Sequence, residues 1–547
     1  MTEGKNKRTD ALIPIAIALT LLAGIVTGIR YKNSVSSDAG VNRRMIFFST
    51  PNKMTQAFEY IKSSYVDSIS FAALEEDAIR GMLKSLDPHS QYIPAQNFAD
   101  VNDPLEGNFT GIGVNFYMPE DTIVIVNVVA EGPSEKAGVK AGDRIIFVDD
   151  IQVAGVKMNQ NDVVKKLKGP NGTRVKVGIF RRGVSEQVDL IITRSRVPLP
   201  SIDAAYMIAS EIGYIKLNKF SKTTYQEFSK AAGTLKGEGM KKMIIDLRDN
   251  PGGIIDGAIK LSEMFLPAGK LIVYTEGNER GRTNYYSNNQ NPEYCEMELA
   301  LLIDETSASA SEIVAGAIQD NDRGTIIGRR SYGKGLVQEQ HPLMDGSALR
   351  ITIARYYTPT GRCIQKPYQP NDNGNYFNEL NTRYSHGEMQ EADSIRFNHS
   401  LRYETPGGRI VYGGGGIMPD VFIPVDTTGI SSYYRRVMRL RLFERFAFDY
   451  SDQNRKKLEE FADHNSFATY LRQNNIRDQF VAYVAKNGVA KNDKDLNVSG
   501  ALIENIVMAL IAKNIIDDKG YCPILNQMDK MVQKGVEVLT VKSNVSK

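Results

Sequence analysis

The chain has 547 residues, which is enough for roughly three or four domains, and its net charge is only +3. Its 67 basic and 64 acidic residues form a balanced surface that gives no electrostatic argument for a nucleic-acid partner. No Cys or His residues have the spacing of a metal site and no phosphate-binding loop is present, so we expect no metal and no cofactor. The three cysteines are far apart, and one disulfide is compatible with an oxidising compartment but not required.

An apolar run over residues 11–29 lies between basic residues near the N-terminus. Its length is just enough to cross a bilayer as a helix, and the basic residues before it favour a cytoplasmic N-terminus. A cleaved signal peptide is the alternative, although residues 24–28 offer only a weak cleavage site. We expect an uncleaved anchor within residues 1–35. The rest of the chain would then be exported to the cell envelope, on the periplasmic side of the inner membrane.

Two modules are expected before the central part of the chain. Residues 40–105 have apolar spacing typical of helices. Residues 106–197 are rich in β-strand patterns, with strands expected at 122–129, 145–148 and 174–180 and a helix at 161–168.

Gly111, Ile112, Gly113 and Val114 form a glycine-rich loop before the first of these strands. The loop and the strand pattern resemble a PDZ domain, in which a peptide C-terminus adds a strand to a sheet edge and backbone amides hold its carboxylate. This resemblance implies that the four residues bind the tail of a substrate. A β-sandwich linker module is the alternative interpretation.

Residues 198–430 alternate apolar strands with helical segments, a pattern typical of an α/β domain. We expect strands at 214–217, 243–247, 271–274, 299–303, 325–327 and 349–356. Residues 369–415 are rich in Asn, Gly and Tyr and poor in periodic apolar spacing, so we interpret them as an insertion. Residues 431–547 are a mostly helical extension, for which dimerisation and substrate gating are equally open roles.

Ser309 stands at the start of an expected helix, within a run of small residues. The free N–H groups and the dipole at such a position favour a developing negative charge. A serine hydroxyl is a poor nucleophile at neutral pH and needs a base within hydrogen-bond reach. Taken alone, however, a serine at this position is most often a helix cap.

Lys334 is the candidate base, because none of the five histidines lies in a strand end or Gly-rich turn near another catalytic candidate. Burial can lower the pKa of a lysine from about 10.4 to about 7 or 8, and Leu336 and Val337 are apolar neighbours of Lys334. Gln338 is four residues away and can accept a hydrogen bond from the ammonium. A Gly-Lys-Gly sequence is otherwise most often a surface turn.

Backbone amides are the candidates for stabilising an oxyanion. One is the N–H of Ala310, directly after the serine. The other is the N–H of Gly252 or Gly253 in a Pro-Gly-Gly turn between an expected strand and helix. Glycine lets the bare backbone approach a reacting carbonyl because it has no side chain in the way. The sequence leaves open which of the two glycines donates.

Together these motifs closely resemble the carboxy-terminal processing peptidases, or tail-specific proteases, of serine peptidase family S41. The resemblance covers about residues 55–430 and rests on the motifs at 86–92, 109–114, 247–253, 307–312, 332–338, 357–362 and 416–420. It implies a crotonase-like (ClpP/crotonase-type) protease core with an inserted PDZ domain. It also implies that Ser309 is the nucleophile, that Lys334 is the general base and that Gln338 orients the lysine.

The sequence therefore predicts an α/β multidomain serine endopeptidase that cuts exported proteins at or near their C-termini. Its partners would be proteins or peptides with free C-termini and, through the N-terminal segment, the membrane; the oligomeric state stays open. An acyl-CoA enzyme of the same core fold is an alternative, but it would not explain the PDZ module or Lys334. A non-catalytic scaffold is another, but it would show substitutions at Ser309 or Lys334, and both residues are intact.

Overall fold

The computed structural model describes residues 53–118, 121–461 and 463–545. The expected membrane anchor and the beginning of the predicted helical region lie outside these residues. The chain divides into two compact units, Met1–Leu74 and Glu75–Lys547, and the second contains all the sheets described below.

The helices and strands are defined by the following bounds. The helices are α1 (Lys53–Ser64), α2 (Phe71–Lys84), α3 (Phe98–Glu106), α4 (Pro133–Lys136), α5 (Gln160–Leu167), α6 (Thr224–Gly237), α7 (Ile255–Glu263), α8 (Ala310–Asp320), α9 (Asn373–Ser385), α10 (Ser432–Arg439), α11 (Leu442–Leu458), α12 (His464–Gln473), α13 (Ile476–Lys486), α14 (Asp493–Ile516), α15 (Asp518–Asn526) and α16 (Lys530–Val545). The strands are β1 (Gln91–Ile93), β2 (Asn108–Gly111), β3 (Val114–Tyr117), β4 (Ile123–Val128), β5 (Arg144–Val148), β6 (Ile151–Gln152), β7 (Arg174–Phe180), β8 (Val188–Thr193), β9 (Ser195–Pro198), β10 (Ile202–Ala209), β11 (Ile212–Leu217), β12 (Lys242–Asp246), β13 (Leu271–Gly277), β14 (Gly281–Tyr286), β15 (Glu298–Ile303), β16 (Thr325–Gly328), β17 (Leu336–Pro342), β18 (Ala348–Tyr357), β19 (Arg402–Glu404), β20 (Ile410–Tyr412) and β21 (Val421–Phe422).

The segment expected to resemble a PDZ domain contains its own antiparallel sheet, in the order β3-β4-β5-β7-β8, with β6 paired to β5. Alternate apolar side chains of these strands point inward, and Ile123, Ile125 and Val177 are fully buried in their common core. The strands and helix expected here are confirmed as β4, β5, β7 and α5, with bounds that differ by at most one residue at each end. Strand β3 lies at the edge of the sheet.

The central sheet has the order β10-β11-β12-β15-β16-β21. Its strands from β11 to β21 run parallel, while β10 is antiparallel to β11. Strands buried on both faces read as near-continuous apolar runs, which is why the sequence pattern located β11, β12, β15 and β16. The mixed α/β class is confirmed.

Helices cover both faces of the central sheet. On one face, Ile245 and Leu301 pack in a core with Ile313 and Val314 of α8. On the other, Ile244, Leu302 and their neighbours pack against residues of α16, namely Met531, Val532 and Leu539. The last helix of the C-terminal extension is therefore part of the structure that supports the central sheet.

A second sheet is antiparallel, in the order β1-β18-β13-β14, with β17 paired to β18. Strand β18 lies between β1 on one side and β17 on the other. The predicted insertion at 369–415 contains α9 and the hairpin of β19 and β20. The apolar spacing did not predict α9, because few of its residues are buried and several are Asn or Gly.

The C-terminal extension is helical, as predicted, and has a core of its own built from α10 to α15. Among the described residues, only α14 is long and apolar enough to cross a membrane by length and composition. Half of its apolar window is buried inside the fold. That burial is the usual situation of a core helix in a helical domain.

Candidate active site

Two neighbouring parallel strands, β12 and β15, are followed by the turns that carry the candidate nucleophile and the candidate oxyanion residues. The carboxyl ends of parallel strands lie at the same edge of a sheet, where ligand sites of α/β folds usually form. The turns are joined directly: the Ala308 N–H and the Ser311 hydroxyl both donate to the Asn250 carbonyl, at 3.1 and 3.0 Å. This connection brings the Pro-Gly-Gly turn against the residue before α8, Ser309.

Ser309 is the N-cap of α8 and has φ 55° and ψ −113°. L-residues rarely adopt this backbone conformation, and such strain is concentrated at functional sites. Its side chain is partly exposed on the wall of a cavity of 520 Å³. The structure thus presents the predicted nucleophile to a space that a substrate can enter.

Lys334 and Gln338 lie in the same cavity wall, and Lys334 Nζ donates a hydrogen bond of 3.1 Å to Gln338 Oε1. The Gln338 amide nitrogen donates to the carbonyl oxygen of His89 at 2.7 Å. Because this second bond fixes the amide nitrogen, the amide oxygen must face the lysine. The predicted pairing of Lys334 with Gln338 is present in the structure.

The pKa of Lys334 lies below its usual value, chiefly because the side chain is buried. The positive charge of Arg350 lowers it further, while Glu312 and Asp87 act in the opposite direction. A lowered pKa increases the neutral fraction of the amine, which is the form that accepts a proton. Among the described residues, no hydrogen bond joins the side chains of Ser309 and Lys334, although both line the cavity.

Glu312 connects the serine to the lysine. Its carboxylate is fully buried and accepts hydrogen bonds from the N–H groups of Ser309 and Lys334 at 2.8 and 2.9 Å. It also accepts from the Gly333 N–H at 2.7 Å and from the Ser331 hydroxyl at 2.5 Å. Burial raises the pKa of Glu312, while these four hydrogen bonds oppose the rise. One side chain therefore holds the backbone of both candidate catalytic residues.

The expectation that no histidine lies near the candidates is wrong for His89. Its ring nitrogen Nε2 is 2.8 Å from the Tyr376 hydroxyl of α9, and its carbonyl accepts from Gln338. Burial, followed by the charge of Lys334, lowers the pKa of His89 to about 4. The ring is consequently neutral at physiological pH, and it contacts Tyr376, which holds the turn before β1 in place.

The two candidate glycines differ in what their amides contact. The Gly252 N–H donates to the Asn250 side-chain oxygen at 2.9 Å. Within the part of the chain that the structure describes, the Gly253 N–H has no acceptor, and Gly253 faces the cavity together with Ala310. The amides of Gly253 and Ala310 are thus the pair whose donors are open to a substrate carbonyl.

The cavity brings together all six predicted catalytic and oxyanion residues. A second cavity, of 260 Å³, is lined by the four residues of the predicted tail-binding loop, Gly111, Ile112, Gly113 and Val114. The apolar side chains of Val164 and Leu167 of α5 form part of its wall. Among the described residues, no cluster of three or more His, Cys, Asp or Glu side chains is arranged to hold a metal ion.

Sequence reasoning missed three residues that shape the site. Glu312 and His89 lie inside motifs that carried the family resemblance, so their positions were visible but their roles were not. Tyr356 gave no signal: its buried hydroxyl donates to the carbonyls of Ser309 and Lys334, at 3.0 and 2.5 Å. Such contacts between distant segments depend on the tertiary structure.

Comparison with known proteins gives matches along most of the chain. Peptidase family S41 matches residues 211–372, and the PDZ domain family matches residues 110–192. The family described as the activating protease CtpB N-terminal domain matches residues 27–97, and a family of unknown function, DUF8443, matches residues 433–517. The protease and PDZ matches fall on the central sheet and on the β3–β8 sheet.

Individual relatives agree with these matches. A carboxy-terminal-processing protease of Bartonella bacilliformis is 38% identical over 312 residues, which cover 56% of this chain and 71% of the relative. A probable CtpA-like serine protease of Staphylococcus aureus (strain N315) is 32% identical over 353 residues, covering 64% of this chain and 70% of that protein. A solved structure, the photosystem II D1 C-terminal processing protease, is 26% identical and covers 68% of this chain and 86% of that one, with a TM-score of 0.35.

The family assignment rests on the sequence matches, since the chain covers more than two thirds of relatives that are over 30% identical to it. The chain belongs to serine peptidase family S41, among the carboxy-terminal-processing proteases that carry a PDZ domain.

Proposed function

We propose that this protein is a serine endopeptidase with a Ser309–Lys334 dyad that cuts exported proteins at or near their C-termini. One observation carries the proposal: a single cavity is lined both by Ser309 and by a partly buried lysine whose ammonium donates to Gln338. A dyad of this kind explains why the site contains a lysine with a lowered pKa. The neutral ring of His89 is bonded to the Tyr376 hydroxyl, so it is not the base in this mechanism.

The mechanism begins with neutral Lys334. Its amine accepts the proton of the Ser309 hydroxyl as the serine oxygen attacks the carbonyl carbon of the scissile peptide bond. The resulting ammonium donates a proton to the leaving amine, and the peptide C–N bond breaks to give an acyl-enzyme on Ser309. Water then attacks the ester carbonyl and Lys334 again accepts a proton. The bond between the carbonyl carbon and Ser309 Oγ breaks, and the ammonium returns its proton to Oγ, which restores the serine and neutral Lys334 and releases the new C-terminus.

Negative charge develops on the carbonyl oxygen during both attacks. We propose that the N–H groups of Ala310 and Gly253 bind this oxygen, with the first turn of α8 adding its dipole. Gly252 supports the arrangement indirectly, because its N–H is held by Asn250 and its backbone lies against Ser309. Glu312 holds the backbone of Ser309 and Lys334 in a fixed relative position during both steps.

The PDZ domain is proposed to recognise the substrate tail. Strand β3 is an edge strand, so an extended peptide can pair with it. The N–H groups of Ile112 and Gly113 have no acceptor in the described part of the chain, and they precede β3 at the 260 Å³ cavity. Free amides at the end of an open strand edge suit a terminal carboxylate, and the apolar wall of the cavity suits an apolar last side chain.

We also propose an organisation for the whole chain. The domain limits are residues 106–197 for the PDZ domain, 198–430 for the protease core and 431–547 for the helical extension. The core is assigned to the crotonase type because its parallel sheet places the oxyanion turn at the end of β12. Export to the envelope and membrane anchoring rest on the apolar segment at residues 11–29 and its basic flanks.

The proposal is tested by incubating the purified chain with candidate envelope proteins and identifying new C-termini by mass spectrometry. Ser309→Ala is the matched control, because it removes only one hydroxyl oxygen. Cleavage by the wild-type chain at sites near substrate C-termini, absent with Ser309→Ala, is the expected result. Equal product patterns from both chains, or no products from either, would contradict the proposed activity.

A further inference from the structure

The active-site cavity is lined by positive charge and by no negative charge. Its lining includes the cations Lys219, Lys334 and Arg350, and none of its lining residues is Asp or Glu. The proposed mechanism uses only Lys334. The other two cations remain to be explained, since burying a charge without a partner is costly.

Of the two cations that the mechanism does not use, Arg350 gives the stronger evidence for a bound anion. It lies on β18 opposite Gln340 of β17, and its guanidinium donates to Gln340 Oε1 at 2.9 Å. The side chain is partly buried, and burial lowers its pKa. In the described ranges of the chain, no carboxylate forms an ion pair with it.

Three other buried or partly buried arginines of this protein do have such partners. Arg248 binds Asp246 at 2.6 Å, and Arg383 binds Glu388 at 2.8 Å. Arg362, which is fully buried, is paired with Asp320. Arg194 and Arg323 have no ion pair among the described residues, but each donates to three backbone carbonyls. Within the same residues, Arg350 has neither a carboxylate nor such a set of carbonyls, and its forked donors line the cavity.

Lys219 adds a second positive charge to the lining of the cavity. It adjoins Phe220, whose N–H donates to the Gly252 carbonyl and whose carbonyl accepts from the Ile254 N–H, both at 2.9 Å. Lys219 is thus attached to the proposed oxyanion turn. It is partly buried, and within the described residues no hydrogen bond or ion pair holds its amine, although Glu227 and Asp203 act on it from a distance.

We propose that the active-site cavity binds a carboxylate of the peptide substrate and that Arg350 is its principal ligand, with Lys219 adding a second positive charge. The inference rests on the proposed function and deepens it by naming a preferred chemical class of substrate. A carboxylate accepts two parallel hydrogen bonds from a guanidinium, which is among the stronger charge-assisted contacts in proteins. The carboxylate has two sources, an acidic side chain near the scissile bond or the C-terminus of a peptide that ends shortly after it.

The first experiment compares peptides that differ only in one Glu or Gln placed in turn at each position around the cleaved bond. Because all the peptides have the same C-terminal tail, binding of that tail to the PDZ domain contributes equally to each kcat/KM and does not affect their ratio. Wild type is expected to show about tenfold higher kcat/KM for the Glu peptide at one position at least. Equal kcat/KM for every Glu and Gln pair overturns an acidic side chain as the source, without the need for any variant.

Variants test whether Arg350 causes the preference for the Glu peptide. Arg350→Gln should reduce the Glu to Gln ratio to about one, and Arg350→Lys should retain part of it because the charge remains. Arg355→Gln is the matched control, since Arg355 lies on the same strand but is exposed and bonded to Tyr368. A ratio unchanged in Arg350→Gln overturns the assignment, even where the variant cleaves both peptides more slowly.

The second experiment compares short peptides that end in a free acid or an amide just beyond the cleaved bond. A preference for the acid that Arg350→Gln abolishes identifies the terminal carboxylate as the source. A preference that persists in Arg350→Gln belongs to the PDZ domain. The proposal fails when neither experiment gives a preference that depends on Arg350.

A binding measurement separates this proposal from the proposed protease activity. Fluorescence anisotropy with Ser309→Ala gives the Kd of the same labelled peptides without cleavage. One outcome is that the Kd values differ by about tenfold, that Arg350→Gln removes this difference, and that wild type cuts no peptide. This outcome would refute the protease proposal and support carboxylate binding. Cleavage by wild type with no Arg350-dependent preference in rate or Kd would support the protease proposal and refute carboxylate binding by Arg350.

Discussion

At the scale of single residues, Glu312 does most to organise the site. Four donors converge on its two carboxylate oxygens, and two of them are the backbone amides of Ser309 and Lys334. A buried carboxylate with this many donors is well satisfied, so it fixes geometry instead of taking part in chemistry. Misplacement of reacting groups by about 1 Å can cost on the order of 10²-fold in rate.

We predict that Glu312→Gln lowers kcat by about 10²-fold and also lowers the melting temperature. An amide has one oxygen and one nitrogen, so at least one backbone N–H that now faces a carboxylate oxygen would face another donor. Each unpaired buried donor costs about 1–3 kcal/mol. Steady-state kinetics and thermal unfolding measure both effects. The exposed Glu276→Gln is the control, and a Glu312→Gln chain with wild-type kcat would show that the carboxylate does not position the dyad.

At the scale of elements, the turn after β12 is built for close approach. Gly252 and Gly253 have φ of 94° and 147°, which glycine tolerates and other residues rarely adopt. A Cβ on Gly252 would lie 2.8 Å from Ser309 Cβ, and one on Gly253 would lie 1.9 Å from the Phe220 carbonyl oxygen. Neither glycine can gain a methyl group without moving the backbone at the oxyanion site.

We therefore predict that Gly252→Ala and Gly253→Ala each lower kcat by about 10²- to 10³-fold, because either methyl group would displace the Gly253 N–H and the loss of one oxyanion donor usually has this effect. Both variants should also be less stable, because the new side chain is strained. Gly269→Ala controls for strain alone, since Gly269 also has a positive φ of 84° but open space around it. If both turn variants retain as much activity as Gly269→Ala, the turn is structural and the second donor lies elsewhere.

The loop before β3 gives a separate prediction about substrate tails. Amidation of a peptide C-terminus should weaken its binding, because the amide lacks the charge that the free N–H groups of the loop stabilise. Gly113→Ala should reduce the discrimination, since Gly113 has φ 73° and a Cβ there would approach Pro133 at 3.2 Å. Calorimetry with long tail peptides measures the difference, with Gly138→Ala, which adds strain in open space, as the control. Equal affinity of wild type for acid and amide would remove tail capture from the mechanism.

At the scale of the whole molecule, the C-terminal extension connects the other parts. Its α16 covers one face of the central sheet. Its α11 contacts the PDZ domain through Asp452, which pairs with Arg144 at 3.1 Å, and through Phe448, whose ring lies 5.6 Å from that of Tyr117. The extension is therefore part of the enzyme's framework, and it contacts both the central sheet and the PDZ domain.

We predict that Leu539→Ala lowers the free energy of unfolding by about 2–5 kcal/mol, the usual cost of truncating a buried leucine. Leu539 is 1% exposed against the central sheet, whereas Val541 on the same helix is 54% exposed. Val541→Ala is thus the matched control and should change stability by less than about 1 kcal/mol. Urea unfolding measures both variants. Similar values for the two would show that α16 does not support the sheet.

Only part of the fold and of the candidate site could be predicted from the sequence. Buried strands such as β12 and β15 were located because strands covered on both faces are continuous apolar runs. The dyad of Ser309 and Lys334, with Gln338 beside the lysine, could be proposed from sequence because all three residues lie in specific motifs. The contact of α9 with His89 and the packing of α16 were not predicted, because they join segments far apart in the chain and leave no local periodicity.

The central claim is that neutral Lys334 is the base for Ser309, and the pH dependence of kcat/KM tests it most directly. Only the deprotonated amine can accept the proton, so activity should rise with pH through the pKa of Lys334. Burial and Arg350 lower that pKa, which places the midpoint of the rise below the usual lysine value of about 10.4.

The measurement is made on wild type and on Lys334→Arg, since arginine stays protonated and cannot act as a base. The predicted result is a wild-type rate that increases between about pH 6 and 9 and a variant that is folded but retains less than about one percent of the activity. A flat wild-type profile over this range, or substantial cleavage by Lys334→Arg, would contradict the assignment of Lys334 as the catalytic base.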